Sequence, residues 1–254
     1  MKIAVCYKLV PDEQDIIINN DNTISFDKAE WKIGQYDLVA VEAAMRLAEV
    51  TGGTVSALSA GGKQLENSKL KKNILSRGPV DAYMIIDETM SDADSYQTAY
   101  VLAKAIEKIK DVDLVVCGEG SSDMYAQQVG SQIGELLQWP SVNAIGTITL
   151  ADGKLIAERM LETEVEVLEI PIPAVISVTS DIFQARIANL KDILEAGKKP
   201  VVRWDLDDIG GVPEMSTNVL SVLVPPQADR RRVVIGGDSG DQINDFYEHL
   251  RKEL

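Results

Sequence analysis

Apolar positions in the first half of the chain fall into short runs separated by helical stripes. Runs suited to buried strands begin near Lys2, Thr54, Ala82, Val112 and Ser141. The last four recur about every 30 residues, the length of one strand–helix unit. Between them, Val41, Ala44, Met45 and Ala48 share one helical face, and so do Ala99, Leu102, Ala103, Ile106 and Ile109. This alternation predicts an α/β fold: a mainly parallel, doubly wound sheet of the nucleotide-binding, Rossmann-like kind, covered by helices on both faces. In such sheets ligands sit beyond the carboxyl ends of the strands, near the point where strand order reverses.

The pattern changes after about Leu150. From Leu155 to Ile170 apolar and charged residues roughly alternate, with Glu162, Glu164, Glu166 and Glu169 on one side and Val165, Val167 and Ile170 among the others. That predicts an antiparallel hairpin with one wet face. Pro173 to Val178 reads as a strand returning to the sheet. From Asp181 onward the strand–helix rhythm is lost, and Gly210, Gly211, Pro213, Pro225 and Pro226 punctuate the chain. It ends in an amphipathic segment with Ile243, Phe246, Tyr247 and Leu250 on one face. The expected division is an α/β domain over residues 1–185 and a docking segment with a C-terminal arm over 186–254, the arm packing back on the domain or wrapping a partner chain.

The segment VDLVVCGEGSSDMYAQQVGSQIGELLQWP, Val112 to Pro140, carries the most chemistry. A short apolar run ends at Cys117. Gly118 and Gly120 bracket Glu119, Ser121, Ser122 and Asp123 follow, and Val129, Ile133 and Leu137 recur at helical spacing. Strand, glycine turn, polar cap and helix in that order aim backbone N–H groups at the sheet edge, where a phosphate is held without a charged side chain. An ordinary turn with a capping residue has the same pattern. The third glycine of the Rossmann fingerprint and the Gly-Lys-Ser/Thr ending of a P-loop are both missing.

Charge narrows the partners. Lys and Arg total 25 against 40 Asp and Glu, a formal net charge of −15. Such a surface repels phosphate backbones and anionic lipid, so neither nucleic acid nor a membrane surface is expected. Arg230, Arg231 and Arg232 are the one basic run of three. No apolar run reaches the roughly 18–20 residues of a membrane span, and MKIAVCYKLV lacks the plan of a signal peptide. Cys6 and Cys117 fall in predicted strands and read as free buried thiols of a cytoplasmic protein. With His249 the only histidine, neither a catalytic triad nor a histidine-rich metal site is expected.

Across nearly its whole length the chain resembles the beta subunits of electron-transfer flavoproteins. The resemblance starts in MKIAVCYKLVPDE and runs through Tyr36, Asp37, Ala40, Val41, Glu42 and Ala44. It continues at Ser59-Ala60-Gly61, Ser76-Arg77-Gly78, Gly118, Asp123 and Gln127-Gln128-Val129-Gly130. Arg159, Glu162, Glu166, Pro173-Ala174-Val175, Arg186 and Lys198-Lys199 follow in order. The chain departs from the family at Gly34-Gln35, where Asn-Pro is common, at Glu119, where a basic residue is common, and at Ala185, where proline is usual.

The resemblance implies a heterodimer with an alpha subunit carrying the electron-transferring FAD, and a beta C-terminal arm wrapping alpha. It implies an adenine nucleotide in this subunit, contacted by Cys6, by Gly34, Gln35, Tyr36 and Asp37, by Ala60, and by Gly118, Ser121, Ser122, Asp123, Ala126, Gln127, Gln128 and Val129. Housekeeping members hold AMP there as a structural ligand. Electron-bifurcating and nitrogen-fixation-associated members hold a second FAD that takes a hydride from NADH, and Gln128-Val129-Gly130 stands closer to that branch. The expectation is an electron-carrier subunit with FAD preferred to AMP and no catalytic side chain of its own, since the flavin carries the redox chemistry. The resemblance also implies docking of Leu190 into an acyl-CoA dehydrogenase-like flavoprotein. Two other classes compete. An adenylating enzyme would want a Ser-Gly-Gly-x-Asp-Ser-like loop after the first strand, where this chain has Val10-Pro11-Asp12-Glu13, and Gly236-Gly237-Asp238-Ser239 comes too late. A scaffold subunit would hold no nucleotide.

Overall fold

The computed structural model describes residues 1–151, 154–215, 217–225 and 232–252. Pro226, Arg230 and Arg231 lie outside the described residues. The chain divides into two compact units, Met1–Ile17 with Ser25–Ser221, and Ile18–Ile24 with Val222–Leu254.

The first unit is built on a nine-stranded sheet: β1 Lys2–Cys6, β2 Thr54–Gly61, β3 Asp81–Ile86, β4 Leu114–Gly118, β5 Ser141–Ala151, β6 Lys154–Met160, β7 Val165–Ile170, β8 Ala174–Val178 and β9 Val201–Trp204. Their order across the sheet is β7-β6-β5-β8-β4-β1-β2-β3-β9. From β5 to β9 every neighbouring pair is parallel, whereas β6 runs antiparallel to β5 and β7. The predicted parallel sheet and its antiparallel hairpin are both present, and β8 returns between β4 and β5.

The helices are α1 Gln35–Thr51, α2 Ser68–Leu75, α3 Ser95–Ile109, α4 Val129–Leu137 and α5 Leu190–Ala196. Two buried apolar clusters show how they sandwich the sheet. One joins Val41, Ala44 and Leu47 of α1, Ile74 and Leu75 of α2 and Ala196 of α5 to Ile3 and Val5 of β1. The other joins Ala99, Leu102 and Ile106 of α3 and Ile133 of α4 to Ala4 and Cys6 of β1. Alternate residues of β1 therefore serve opposite faces, as the period of two in a strand requires.

Three readings of the sequence need correction. The strand–helix rhythm does not end at Asp181: α5 and β9 form one more unit, with β9 pairing in parallel with β3. A helix of 7 residues and a strand of 4 are too short for their periodicity to stand out. The hairpin does not separate acids from apolar side chains. Val165 and Val167 are exposed at 50% and 68%, on the same side as Glu169, while Ile170 is buried. Glu166, on the Ile170 side, lies 3.6 Å from Arg159. Finally, no helix starts near Asp123, because Tyr125 and Gln127 adopt positive φ of 45° and 57°, which interrupts any helical run. The helix begins at Val129.

The second unit brings Thr23 beside Leu223 in an antiparallel bridge, and Val224 N–H donates to Asn22 O at 2.9 Å. Its helix, α6 Gly240–Arg251, opens with a reciprocal Ser239–Gln242 capping box and has no buried residue. Ile243, Phe246, Tyr247 and Leu250 are all exposed.

Candidate functional site

The chain leaves β1 toward β2 and β3 on one side of the sheet, then crosses back to place β4 on the other side of β1. Strand order therefore reverses between β1 and β4, and their connections part at the carboxyl ends to leave a crevice. β1 and β4 are in register through Val5 and Val116, so Cys6, the last residue of β1, comes level with Cys117, the last but one of β4. Both thiols are free and buried. A hydrogen bond with Cys117, together with burial, pushes the Cys6 thiol well above its ordinary range.

Beyond β1, Leu9–Pro11 pairs antiparallel with Trp31–Ile33, and this ribbon delivers the chain to α1. Gly34 N–H donates to Lys8 O at 2.9 Å. In return Lys8 N–H donates to the Asp37 carboxylate at 2.7 Å. This pair of bonds fixes the first turn of α1 at the end of β1. The helix has no side-chain cap at Gly34. Gly118 makes the approach possible from the β4 side: a Cβ there would lie 2.9 Å from both the carbonyl carbon and the Cβ of Tyr36. Asp37 forms the floor of the crevice, 7% exposed. Burial raises its pKa to about 7, against the Lys8 N–H, which favours the charged form.

The loop after β4 arches over this floor. The Glu119 carboxylate accepts from Ser180 N–H at 3.3 Å and also from the Tyr125 hydroxyl. Asp123 accepts from Met124 N–H at 2.8 Å and pairs with Lys8 Nζ at 2.6 Å. Burial works to raise the Asp123 carboxyl, but Lys8, Ser121 and Met124 outweigh it and hold it below the usual range. Tyr125 stands against Tyr36, ring centroids 5.4 Å apart and tilted by 46°. Gln128 precedes α4 but caps nothing with its side chain. Its Oε1 instead accepts from Ser95 Oγ at 2.6 Å. Among the described residues the first N–H groups of α4 have no side-chain partner, which suits an anion. Gly130 lets α4 settle against the sheet, since a Cβ there would strike Ser177 Oγ.

Cys6, Gly34, Tyr36, Asp37, Gly118 and Asp123 thus converge on one crevice. Gln35 begins α1 beside them, exposed. Ala60, half-buried near the end of β2, packs on the cluster that contains Cys6. Ser121, Ser122, Ala126, Gln127, Gln128 and Val129 form the arch and its descent into α4. Leu190 is separate: it opens α5 and is 73% exposed. Sequence reading passed over Lys8, Tyr125 and Ser95. Lys8 is the one basic residue between Lys2 and Lys28, and it follows a strand end. Ser95 sits inside the Asp94–Gln97 capping box that starts α3. Nothing in the local pattern marks Tyr125.

The groups near the strand ends are a cation, two serines, one of them bonded to Asp123, and a helix start that its N-cap side chain leaves uncapped. That chemistry fits a phosphorylated ligand with a flat ring. Among the described residues no group of three or more His, Cys, Asp and Glu could hold a metal, and no helix is long and apolar enough to cross a membrane.

A doubly wound α/β sheet with such a crevice at its strand-order reversal defines a broad class of ligand-binding proteins. Within it, the model of the electron transfer flavoprotein domain matches residues 21–209, well over half of the chain. The chain belongs to the electron transfer flavoprotein family.

The buried Asp37 makes stability depend on pH. Its folded pKa of about 7 lies above the ordinary carboxylate value. Its neutral form therefore stabilises the fold fully below about pH 4, and this contribution is lost as pH rises through 7. Asp37→Asn keeps an acceptor for Lys8 N–H and cannot ionise. In urea melts from pH 4 to 8, the wild type is expected to lose stability relative to Asp37→Asn by up to about 1.4 kcal/mol per pH unit, and to level off above 7. A constant difference would show that Asp37 does not titrate in this window.

Proposed function

We propose that the chain is the beta subunit of a heterodimeric electron-transfer flavoprotein and binds an adenine nucleotide, FAD in preference to AMP, in the crevice between β1 and β4. The observation that carries this reading is the meeting, at the strand-order reversal, of an uncapped helix start, the arch after Gly118 and the first turn of α1. Family membership supports the class of function, and the position of the donors supports a phosphate.

In this reading the N–H groups of Val129 and Gly130 point at phosphate oxygens, with a dipole contribution of about 0.3–1 kcal/mol if exposed. Ser122 adds a hydroxyl donor, while the Ser121 hydroxyl already bonds Asp123. Gln128, whose Oε1 is engaged by Ser95, keeps its amide N–H groups for the ligand. Cys6 and Ala60 leave room for a ring at the strand ends. Tyr36 and Tyr125 screen the crevice from water. A flavin held there would supply the redox chemistry between a donor, NADH or a dehydrogenase, and the next acceptor. The chain's own part is to hold, orient and shield it.

Exposure supports the partner surfaces of this reading. Ile187, Leu190 and Leu194 are exposed at 90%, 73% and 66%. This favours the docking of Leu190 into an acyl-CoA dehydrogenase-like flavoprotein over packing inward. The bare apolar face of α6 fits an arm covered by the alpha subunit.

Two experiments test this reading. Denaturing the purified heterodimer and counting released nucleotides should give two FAD per pair; one FAD with one AMP would reassign this subunit to AMP, and a single FAD alone would favour a scaffold. Leu190→Ala should slow electron transfer to the dehydrogenase, since truncating a well-buried anchor costs on the order of 2 kcal/mol. Flavin content and pairing should stay unchanged. A variant that instead melts early, with unchanged transfer per folded molecule, would show Leu190 to be structural.

A further inference from the structure

We propose that Lys8 is the cation that receives the nucleotide's phosphate, and that Asp123 competes with the phosphate for it. The proposal rests on the reading of the crevice as an adenine-nucleotide site.

Lys8 lies two residues beyond β1 and Asp123 five residues beyond β4, so their contact at 2.6 Å spans the crevice at its mouth. This is where a phosphate would approach, between the β1 end and the uncapped start of α4. The crevice is rich in acid. Asp37 forms its floor and Asp123 its rim, in a chain of formal net charge −15. An entering phosphate needs a cation to offset them. Among the described residues, Lys8 is the only one that forms an ion pair with Asp37, Glu119 or Asp123. Its backbone is anchored by the exchange with Asp37 and Gly34, which leaves the ammonium free to choose its anion.

The existing pair is of a kind that exchanges readily. The two side chains are 47% and 21% exposed, and exposed pairs contribute little net stability. Asp123 keeps other partners when Lys8 leaves, since its other oxygen accepts from Met124 N–H at 2.8 Å and the Ser121 hydroxyl also bonds it. A phosphate offers more charge and more acceptor oxygens than the carboxylate, and so wins the ammonium. The Lys8–Asp123 contact then sets the selectivity of the site: a ligand without phosphate gains nothing by displacing Asp123.

Titration calorimetry of the full-length chain with AMP and with adenosine isolates this interaction, because the two probes differ only in the phosphate. Nucleotide that co-purifies is first removed by gel filtration in concentrated bromide. Wild type should bind AMP more tightly than adenosine. Lys8→Gln should weaken AMP about tenfold, the size of one hydrogen bond to a charged group, and leave adenosine unchanged. Lys8→Arg should keep most of the AMP affinity. Asp123→Asn should strengthen AMP binding severalfold without touching adenosine. If Lys8→Gln weakens both ligands equally or neither, or if Asp123→Asn weakens AMP, Lys8 and Asp123 merely latch the loop and the proposal fails while the nucleotide reading stands. A wild-type chain that binds neither probe would overturn the nucleotide reading, and the role of Lys8 with it.

Discussion

The hydrogen bond from Lys8 N–H to the buried carboxyl of Asp37 is the contact on which the site depends. It joins the end of β1 to the first turn of α1 between residues 29 positions apart in the chain. A carboxyl in so dry a place is destabilised when charged, which is why its pKa rises to about 7. Two features make the arrangement tolerable. The Lys8 N–H satisfies one oxygen, and Gly118, lacking a side chain, lets β4 approach the same turn. Remove either and α1 would have to withdraw from the sheet, opening the crevice that the β4 loop covers.

A second network holds the segment after β8. Burial pushes the Glu42 carboxyl up, but Arg186 and Arg46 outweigh it and hold it below the ordinary range. Arg186 Nε meets Glu42 at 2.6 Å, and Arg46 stands 4.4 Å over the Phe183 ring. Arg77 donates to Arg186 O. Further on, Lys199 Nζ donates to the carbonyls of Leu75 and Pro79 at 2.8 and 2.7 Å, and closes the end of α2. These bonds fasten both ends of the 183–199 stretch. The apolar residues between them, Ile187, Leu190 and Leu194, are held out rather than folded in. Exposure here is a product of anchoring at the flanks.

Much of the fold was legible because its strands are buried on both faces and its helices carry full stripes. β1 to β5 begin within two residues of the apolar runs, and Ala99, Leu102, Ala103 and Ile106 of the predicted α3 face are buried, though Val101 and Ala105 are buried too. The failures share a cause. Where elements are short, as in α5 and β9, periodicity has too few residues to speak. Where tertiary pairing decides orientation, as for Val165 and Glu166, alternation alone does not say which side meets the core. In the candidate site, the glycine turn announced itself, since Gly118 and Gly120 follow a strand. The helix start six residues after Asp123 did not, because it depends on the backbone conformations of Tyr125 and Gln127. Lys8 was visible as an isolated basic residue, but its reach to Asp123 is a property of the folded sheet alone.

The central claim is that ligand binds where strand order reverses. Amide hydrogen exchange on the full-length chain, with and without adenine nucleotide, tests it directly. The account predicts slowed exchange at Lys8, across residues 34–37 and across 118–131, with α5 and β9 unaffected. Protection confined to the segment around α5, or to the β6–β7 hairpin, with the crevice unchanged, would contradict it.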